Sequence, residues 1–327
     1  MTTFSARGAF VAALACAGAA GVQAQGPSSD FPTRPVRVIV PLAPGGGSDI
    51  VARIVAAALG EVWGQTVILD NRPGAGSAVG TAIAAKAPAD GHTLLVSSSS
   101  IAITPALYKD LPFDMRRDFA PVSMLASQPS VLAVHASVPA TNVKELLALA
   151  RAQPGKLAYA SAGAGSATHL GSELFRVAGG IEMLHLPYKS AGLATNALLG
   201  GEAQVLLTNM ASVLPHLKGG KVRALGVTGL KRSALAPDIP TVAESGLAKF
   251  EYLTWYGMLV PNGTPKARVD TLYRDTARAV RAPQYLERFT QQGLDVFVTP
   301  PAEFGRFLAA EIAQWDAVVR KAGIKIE

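Results

Sequence analysis

The sequence predicts an α/β protein of two lobes, each a sheet flanked by helices. Three observations support this prediction. Short β-branched runs alternate with segments of helical length, glycine-rich turns stand where a run passes into a helix, and the alternation occurs as two separate series. Such alternation is typical of largely parallel sheets covered by helices.

The first series begins with a β-branched run over 36–40. It passes through the glycine-rich turn 44–49 into a predicted helix over 50–59. The same pattern recurs, with a strand over 66–70 and a turn over 71–77 that precedes a helix ending near residue 87. A third strand, 94–96, runs into four serines.

The second series starts after residues 131–134. Its predicted strands are 157–160, 183–186, 205–207 and 222–227, and its predicted helices are 142–152, 168–177 and 195–199. A strand over 256–260 and amphipathic helices over 266–280 and 301–321 complete the chain. We expect 31–130 together with 228–327 to form one lobe, and 131–227 the other.

The first 24 residues have the pattern of a secretory signal. Arg7 precedes a short run of small apolar residues, and small residues in 22–24 fit a cleavage site after Ala24. We therefore expect the mature protein to be exported. The run is short for the ~30 Å of hydrocarbon that a retained anchor must cross. In the alternative lipoprotein reading, Leu14 stands one position away from where a cut at Cys16 requires it.

Composition excludes several classes of protein. Cys16 is the one cysteine in 327 residues, so disulfides and cysteine-ligated metals are not expected in a mature chain. The formal charge of +7 suits a protein that binds anions. Because the basic residues are scattered, nothing indicates nucleic-acid binding. After the signal, no apolar stretch approaches the ~20 residues of a membrane helix.

Glycine-rich turns before helices are candidate anion sites. Backbone N–H groups at a helix start lack helical partners and lie at the positive end of the helix dipole, and small residues let a ligand come close. The strongest candidates are 44–49 and 161–166, one in each lobe. The alternative is that glycine and serine merely suit α/β turns. The segment 74–80 misses the dinucleotide fingerprint by one position, so no cofactor is expected.

Catalytic patterns are not found. The five histidines show no metal-ligand spacing, and the chain has no G-x-S-x-G elbow or distinctive pair of carboxylates. Only His169 is a candidate, one turn into the helix after Ser166, where it could help to hold an anion or could simply cap and pack. We expect a protein that is not an enzyme and has no metal site.

Three motifs of the first series are distinctive. They are Val-Pro-x-x-Pro-Gly-Gly-Gly-Ser-Asp ending at Asp49, Asp-Asn-Arg-Pro-Gly-Ala-Gly over 70–76, and Ala-Asp-Gly-His-Thr-Leu-Leu over 89–95. Further motifs follow in order at 121–123, 154–157, 165–170, 187–189, 198–201, 223–228 and 240–244. The whole series resembles the Bug family of periplasmic receptors, the substrate-binding components of tripartite tricarboxylate transporters.

The resemblance implies a two-lobed, Venus-flytrap fold of the type II periplasmic-binding-protein class, with a mixed sheet in each lobe. It further implies a cleft that closes on a small carboxylate. With the candidates from the turns, the expected ligand-binding residues are Leu42, Pro44, Gly45, Gly46, Ser48, Asp49, Ser97, Ser98, Ser161, Ala162, Gly165, Ser166, Thr168, His169, Tyr188 and Asn209.

One departure from the family pattern concerns the ligand. Family members commonly carry Asp-Asn after the strand over 205–207, where this chain has Thr208-Asn209. Losing that carboxylate argues against selection of an amine or hydroxyl group and leaves the identity of the acid open.

The function that follows is capture of a carboxylate for the permease subunits of a tripartite transporter, with a monomer as the default. Two alternatives remain at this point: a ligand-sensing receptor for a two-component sensor kinase, or an exported enzyme.

Overall fold

A computed structural model describes residues 31–108 and 110–322. The predicted secretory signal lies outside these residues. From Pro32 onward the described chain forms one compact unit. Within residues 31–108 and 110–322, no helix is both long enough and apolar enough to cross a membrane.

Ten strands of the described residues form a mixed sheet. They are β1 Val36–Val40, β2 Val67–Asn71, β3 Thr93–Ser98, β4 Phe119–His135, β5 Ala158–Ser161, β6 Leu184–Pro187, β7 Val205–Asn209, β8 Val222–Val227, β9 Leu253–Pro261 and β10 Asp295–Val296. The order is β2-β1-β3-β9-β4-β7-β5-β6, and β8 and β10 also pair with β4. The β1–β2, β1–β3, β5–β6 and β5–β7 pairs are parallel, whereas the pairs made by β4 and β9 are antiparallel.

Within the described part of the chain, ten α-helices flank the sheet. They are α1 Gly47–Trp63, α2 Ala78–Ala85, α3 Ser100–Leu107, α4 Val143–Ala152, α5 Ala167–Gly179, α6 Ala191–Leu199, α7 Met210–Leu217, α8 Lys266–Val280, α9 Pro283–Gln291 and α10 Pro301–Ala322. The α/β class with mixed sheets and flanking helices is confirmed. We call β1, β2, β3, β9 and β10 with their helices the first lobe, and β5 to β8 with theirs the second.

The long strand β4 joins the two lobes. Its residues from Phe119 to Pro129 pair with β9, whereas those from Ser130 onward pair with β7 and β8. The sequence pattern predicts only the last part of this strand, because Pro121 and Pro129 interrupt the rest. A proline cannot donate to a ladder, and the register shifts beside Pro121. The partner change at Ser130 lies beside the predicted lobe boundary at 130/131, and the boundaries stay predictions.

Side chains of β4 alternate between two apolar clusters. Leu132 and Val134 belong to the larger cluster, and Val131 and Ala133 to the smaller one. This is the period of two expected of a strand covered on both faces. The strand that joins the lobes is therefore fixed by packing on each side.

The predicted apolar stripe of the last helix is confirmed. Phe304, Leu308, Ile312 and Trp315 of α10 are all buried. Trp315 meets Tyr252 edge-on at a centroid distance of 6.2 Å. The stripe packs α10 against α3 and β4.

Two helices, α3 and α7, are not predicted by the sequence pattern. Each contains a proline, Pro105 in α3 and Pro215 in α7. Proline removes a donor and usually ends a helix, so an eight-residue segment that contains one gives little helical signal.

Gly80 sets how closely α2 packs on the end of β1. A Cβ atom there would lie 2.6 Å from Pro41 Cα and 2.7 Å from the Arg72 carbonyl oxygen, both backbone atoms. We predict that Gly80→Ala lowers the free energy of unfolding by about 1–3 kcal/mol, the usual cost of overpacking a buried position.

Gly60→Ala is the matched control, measured by urea denaturation under the same conditions. Its Cβ would have only an ordinary contact, 3.5 Å from Gln65 O, inside α1. Alanine favours helix over glycine by up to about 1 kcal/mol, so this variant should be as stable as the wild type or more so. Equal stability of the two variants would contradict the close packing at Gly80.

Candidate functional site

A cavity of about 730 Å³ lies between loops of the two lobes. The two sides come close at its edge: a Cβ atom placed on Gly76 of the first lobe would lie 3.7 Å from the Ala164 carbonyl oxygen of the second. A ligand in the cavity would therefore contact both lobes at once.

Six helices begin at the cavity. Its lining includes the first residue or the residue just before the first of α1, α2, α3, α5, α6 and α7: Gly46, Ser77, Ser100, Ser166, Ser190 and Asn209. Each helix start carries about half a positive charge on N–H groups that lack helical partners. The six starts make the cavity a place where negative charge is stabilised.

The two lobes differ in how these helix starts are capped. In the second lobe, the side chains of Ser166, Ser190 and Asn209 each accept a hydrogen bond from an N–H in the first turn of their helix. The helices α1, α2 and α3 of the first lobe have no side-chain cap. The first amides of α1 therefore remain available to a ligand. In α2 and α3 some early N–H groups already have partners, because the Val79 N–H donates to the Gly74 carbonyl at 3.4 Å and the Ala102 N–H donates to the Ser99 carbonyl at 3.0 Å.

Charged side chains are scarce in the lining. Among the described residues, Lys189 is the one charged side chain there, and no carboxylate lines the cavity. Nothing in this lining would repel an anion or pair with an ammonium group.

Asp49 is turned away from the cavity and holds the first-lobe loop in place. Its carboxylate accepts hydrogen bonds from the Gly45 N–H at 3.0 Å, Asn71 Nδ2 at 3.0 Å and Arg53 Nε at 2.8 Å. Burial alone would raise the pKa of Asp49, but these hydrogen bonds hold that pKa below its ordinary value. The charge of Asp49 is thus matched by Arg53, and the loop before α1 is fixed where Gly45 has a φ of 81°.

Ser48, in the first turn of α1, offers a further donor to the cavity. It is 2% exposed, and within the described chain its Oγ has no hydrogen-bond partner. Buried hydroxyls are nearly always hydrogen-bonded, so a ligand acceptor at this position would satisfy it.

The floor of the cavity comes from β4, which joins the lobes, and from its first-lobe neighbour β9. Gln128 of β4 donates from Nε2 to the Tyr256 hydroxyl of β9 at 2.8 Å. That hydroxyl is packed on Gly47, where an added Cβ would overlap it at 2.0 Å. Both side chains line the cavity. Glycine is therefore required at the first position of α1.

The second-lobe loop is held by two histidines. The Gly165 N–H donates to His169 Nδ1 at 3.1 Å, and the Ser161 hydroxyl lies 2.6 Å from His185 Nε2. The two imidazoles stack at a centroid distance of 4.1 Å. Ser161 Oγ also accepts from the Gly163 N–H at 3.1 Å.

Burial keeps both imidazoles neutral. It is the largest cause that lowers the pKa of His169 to about 4, and the neighbouring His185 lowers it further. Burial also lowers the pKa of His185. Beside them, the Tyr159 hydroxyl donates to Glu173 Oε1 at 2.7 Å. Glu173 is in turn paired with Arg176 at 2.8 Å, which holds the pKa of Glu173 down although burial opposes this.

Most of the predicted site residues meet at the cavity. The lining contains Leu42, Pro44, Gly45, Gly46, Ser48, Ser98, Ala162, Ser166, Thr168, Tyr188 and Asn209. Five others, Asp49, Ser97, Ser161, Gly165 and His169, lie outside the lining. Four of these hold the lining loops by hydrogen bonds, and Ser97 is buried within β3. Whether any of the sixteen binds a ligand stays a prediction.

Sequence reasoning does not find several lining residues. They include Gln128, Ser130, Tyr108, Lys189, Thr254 and Tyr256. Strand residues such as Gln128 and Tyr256 belong to no local motif, and only the fold brings them to the cavity. The turn over 73–77 also lines the cavity, and its glycines were a signal that could have identified it.

Metal chemistry finds no support in the part of the chain that the structure covers. No group of three His, Cys, Asp or Glu residues within 31–108 and 110–322 could hold a metal ion.

Comparison with known proteins gives one family. Residues 51–324 match the family model described as the tripartite tricarboxylate transporter family receptor. Protein BugT of Bordetella pertussis is 37% identical over 310 residues, which cover 94% of this chain and 95% of BugT.

Two solved structures share the fold at similar identity. The periplasmic binding protein BugD superposes with a TM-score of 0.81 and 33% identity, covering 91% of this chain and 100% of that one. R. palustris Rpa4515, solved with adipate, superposes with a TM-score of 0.84 and 34% identity, covering 90% and 99%. The predicted two-lobed periplasmic-binding-protein fold is confirmed.

The buried His169 should make stability depend on pH. A pKa lowered from 6.5 to about 4 means that the unfolded chain takes up a proton first as the pH falls. We predict that the free energy of unfolding of the wild type, relative to His169→Leu, decreases by about 3 kcal/mol between pH 7 and pH 4.

Urea denaturation of both proteins at half-unit pH intervals measures this difference. Titration of the carboxylates is common to the two proteins and cancels in the subtraction. A difference that stays constant across the range would contradict a neutral His169 in the folded protein.

Proposed function

The chain belongs to the tripartite tricarboxylate transporter receptor family, and on that premise we propose that it is a periplasmic receptor that captures a small carboxylate for the permease subunits of such a transporter. The observation that carries the proposal is the meeting of six helix starts at one cavity whose described lining contains a lysine and no carboxylate. That lining suits an anion.

Binding replaces the water around a carboxylate with protein donors. The residues Gly46, Gly47 and Ser48 begin α1 with no side-chain cap, so their amides can point at a carboxylate oxygen. Glycine lets the ligand approach this backbone closely. Each hydrogen bond to a charged group contributes about 1.5–3 kcal/mol net, so about three to six of them supply the roughly 8 kcal/mol that corresponds to micromolar affinity.

The second lobe completes the grip. Its loop over 162–166 and the starts of α6 and α7 line the other side of the cavity. A ligand held from both sides favours the closed arrangement by the contacts that only closure provides. The strand β4, which pairs with β9 in the first lobe and with β7 and β8 in the second, is the connection about which the lobes can move. The closed form is the signal that a membrane partner reads.

The volume limits the ligand. A cavity of about 730 Å³ has room for a small organic acid together with ordered water. Adipate, which Rpa4515 holds in its solved structure, is a suitable first probe for this chain. Because no lining carboxylate would pair with an ammonium group, we propose an acid without a free amine.

Ser166→Trp tests the site. Ser166 starts α5 and lines the cavity, so an indole there would fill the space that the ligand needs. Native mass spectrometry of protein purified without refolding would identify a carboxylate that copurifies with the wild type. We predict that Ser166→Trp shows no measurable binding of that carboxylate, or of adipate, by isothermal titration calorimetry. The lost cap should cost only about 1 kcal/mol of stability.

Ser137→Trp is the control, because Ser137 is exposed after the end of β4 and does not line the cavity. It should bind like the wild type. Unchanged affinity in a folded Ser166→Trp variant would place the ligand elsewhere and refute the site.

A further inference from the structure

Two buried histidines stand behind the second-lobe loop without reaching the cavity. His169 is 5% exposed, and neither it nor His185 belongs to the cavity lining. Both nevertheless form hydrogen bonds with the second-lobe loop segment over 161–166: His169 with the Gly165 N–H, and His185 with the Ser161 hydroxyl. In this arrangement neither histidine is placed to contact a ligand in the cavity directly.

The loop depends on these bonds for its shape. Gly163 and Gly165 have φ values of 112° and 77°, which only glycine adopts without strain. Glycine also loses more freedom on ordering than any other residue, so a loop with two such positions needs fixed partners. Its N–H groups find them in Ser161 Oγ and His169 Nδ1.

We propose that His169 and His185 are positioning residues, which hold the 162–166 loop in its ligand-binding shape through Gly165 and Ser161. This inference rests on the proposed function for its consequence, because a displaced loop would misplace Ala162, Ser166 and the start of α5 at the cavity. The order of the loop itself does not depend on which ligand is bound.

The protonation state of His169 decides whether the loop is held. Nδ1 must be unprotonated to accept from the Gly165 N–H. Protonation would turn this acceptor into a donor that faces another donor, and would place positive charge 4.1 Å from the second ring. The charged or titratable groups around the pair are Tyr159 of β5, Glu173 and Arg176 of α5, and Glu182, which pairs with Arg176 at 3.1 Å.

Glu173 offers little relief for such a charge. Its carboxylate already accepts from Tyr159 and is paired with Arg176. Burial lowers the pKa of both imidazoles, and the smaller attraction of Glu173, which raises it, does not offset this. Acid should release the loop.

The test compares three variants with the wild type in two measurements. His169→Phe keeps a flat ring against His185 but removes the acceptor, whereas His169→Asn keeps an acceptor near the place of Nδ1 and does not titrate. His135→Asn is the control, because this histidine bonds to Ser137 at the end of β4 and does not line the cavity.

The first measurement needs no ligand. Amide hydrogen exchange of Gly165, followed by NMR at pH 7, should be about tenfold faster in His169→Phe than in the wild type, as expected for the loss of one net hydrogen bond. His169→Asn should restore most of the protection, and His135→Asn should leave it unchanged. Unaltered exchange in His169→Phe would overturn the positioning role, whatever the protein binds.

The second measurement uses adipate and calorimetry. We expect His169→Phe to weaken adipate binding about tenfold and His169→Asn to restore it to within about threefold. The ratio of wild-type to His169→Asn affinity should fall as the pH drops from 7 to 4, because only the wild type has an imidazole at this position that can gain a proton. The ionisation of adipate is common to both proteins and cancels in the ratio. If His169→Phe does not fold, a ratio that is independent of pH overturns the proposal.

Failure of the two ideas can be told apart. A wild type that binds neither adipate nor any other carboxylate refutes the proposed function, while the exchange of Gly165 still decides the role of His169. A wild type that binds adipate with an affinity unchanged in His169→Phe refutes the inference alone.

Discussion

Backbone N–H groups without helical partners are the constraint on which this molecule depends. Every helix leaves such groups at its start, and here six helices leave them around one cavity. Bringing these groups together requires no charged side chain. The lobes need only place the ends of their strands at a common edge of the cavity. In an α/β sheet with helices on both faces, the connections after the strands do this by their topology.

Some side chains at this site act indirectly, by holding the loops that line the cavity. Asp49 holds the loop before α1 through the Gly45 N–H, and His169 holds the loop before α5 through the Gly165 N–H. Both are buried acceptors that do not line the cavity. They share a physical reason: glycines that let an anion come close also leave the loop free to move, so a fixed acceptor must compensate.

Local patterns predicted the strands β1, β2, β3 and β5 to β8 and the helices that follow most of them, because a β-branched run, a glycine-rich turn and an apolar period each act over a few residues. They failed where proline hides an element, as in the first part of β4 and in α3 and α7. The glycine-rich turns before α1 and α5 were predicted to be binding segments, and both line the cavity.

By itself, the sequence determined the α/β class, the family pattern and the two glycine-rich turns before α1 and α5, since each of these depends on contiguous residues. Only the tertiary structure decided that Gln128 and Tyr256 form the floor, that α2, α3, α6 and α7 also point at the cavity, and that Asp49 and His169 support loops and do not line it. The physical reason is that these roles depend on which atoms meet across the fold, and residues 128 and 256 become neighbours only when β4 pairs with β9.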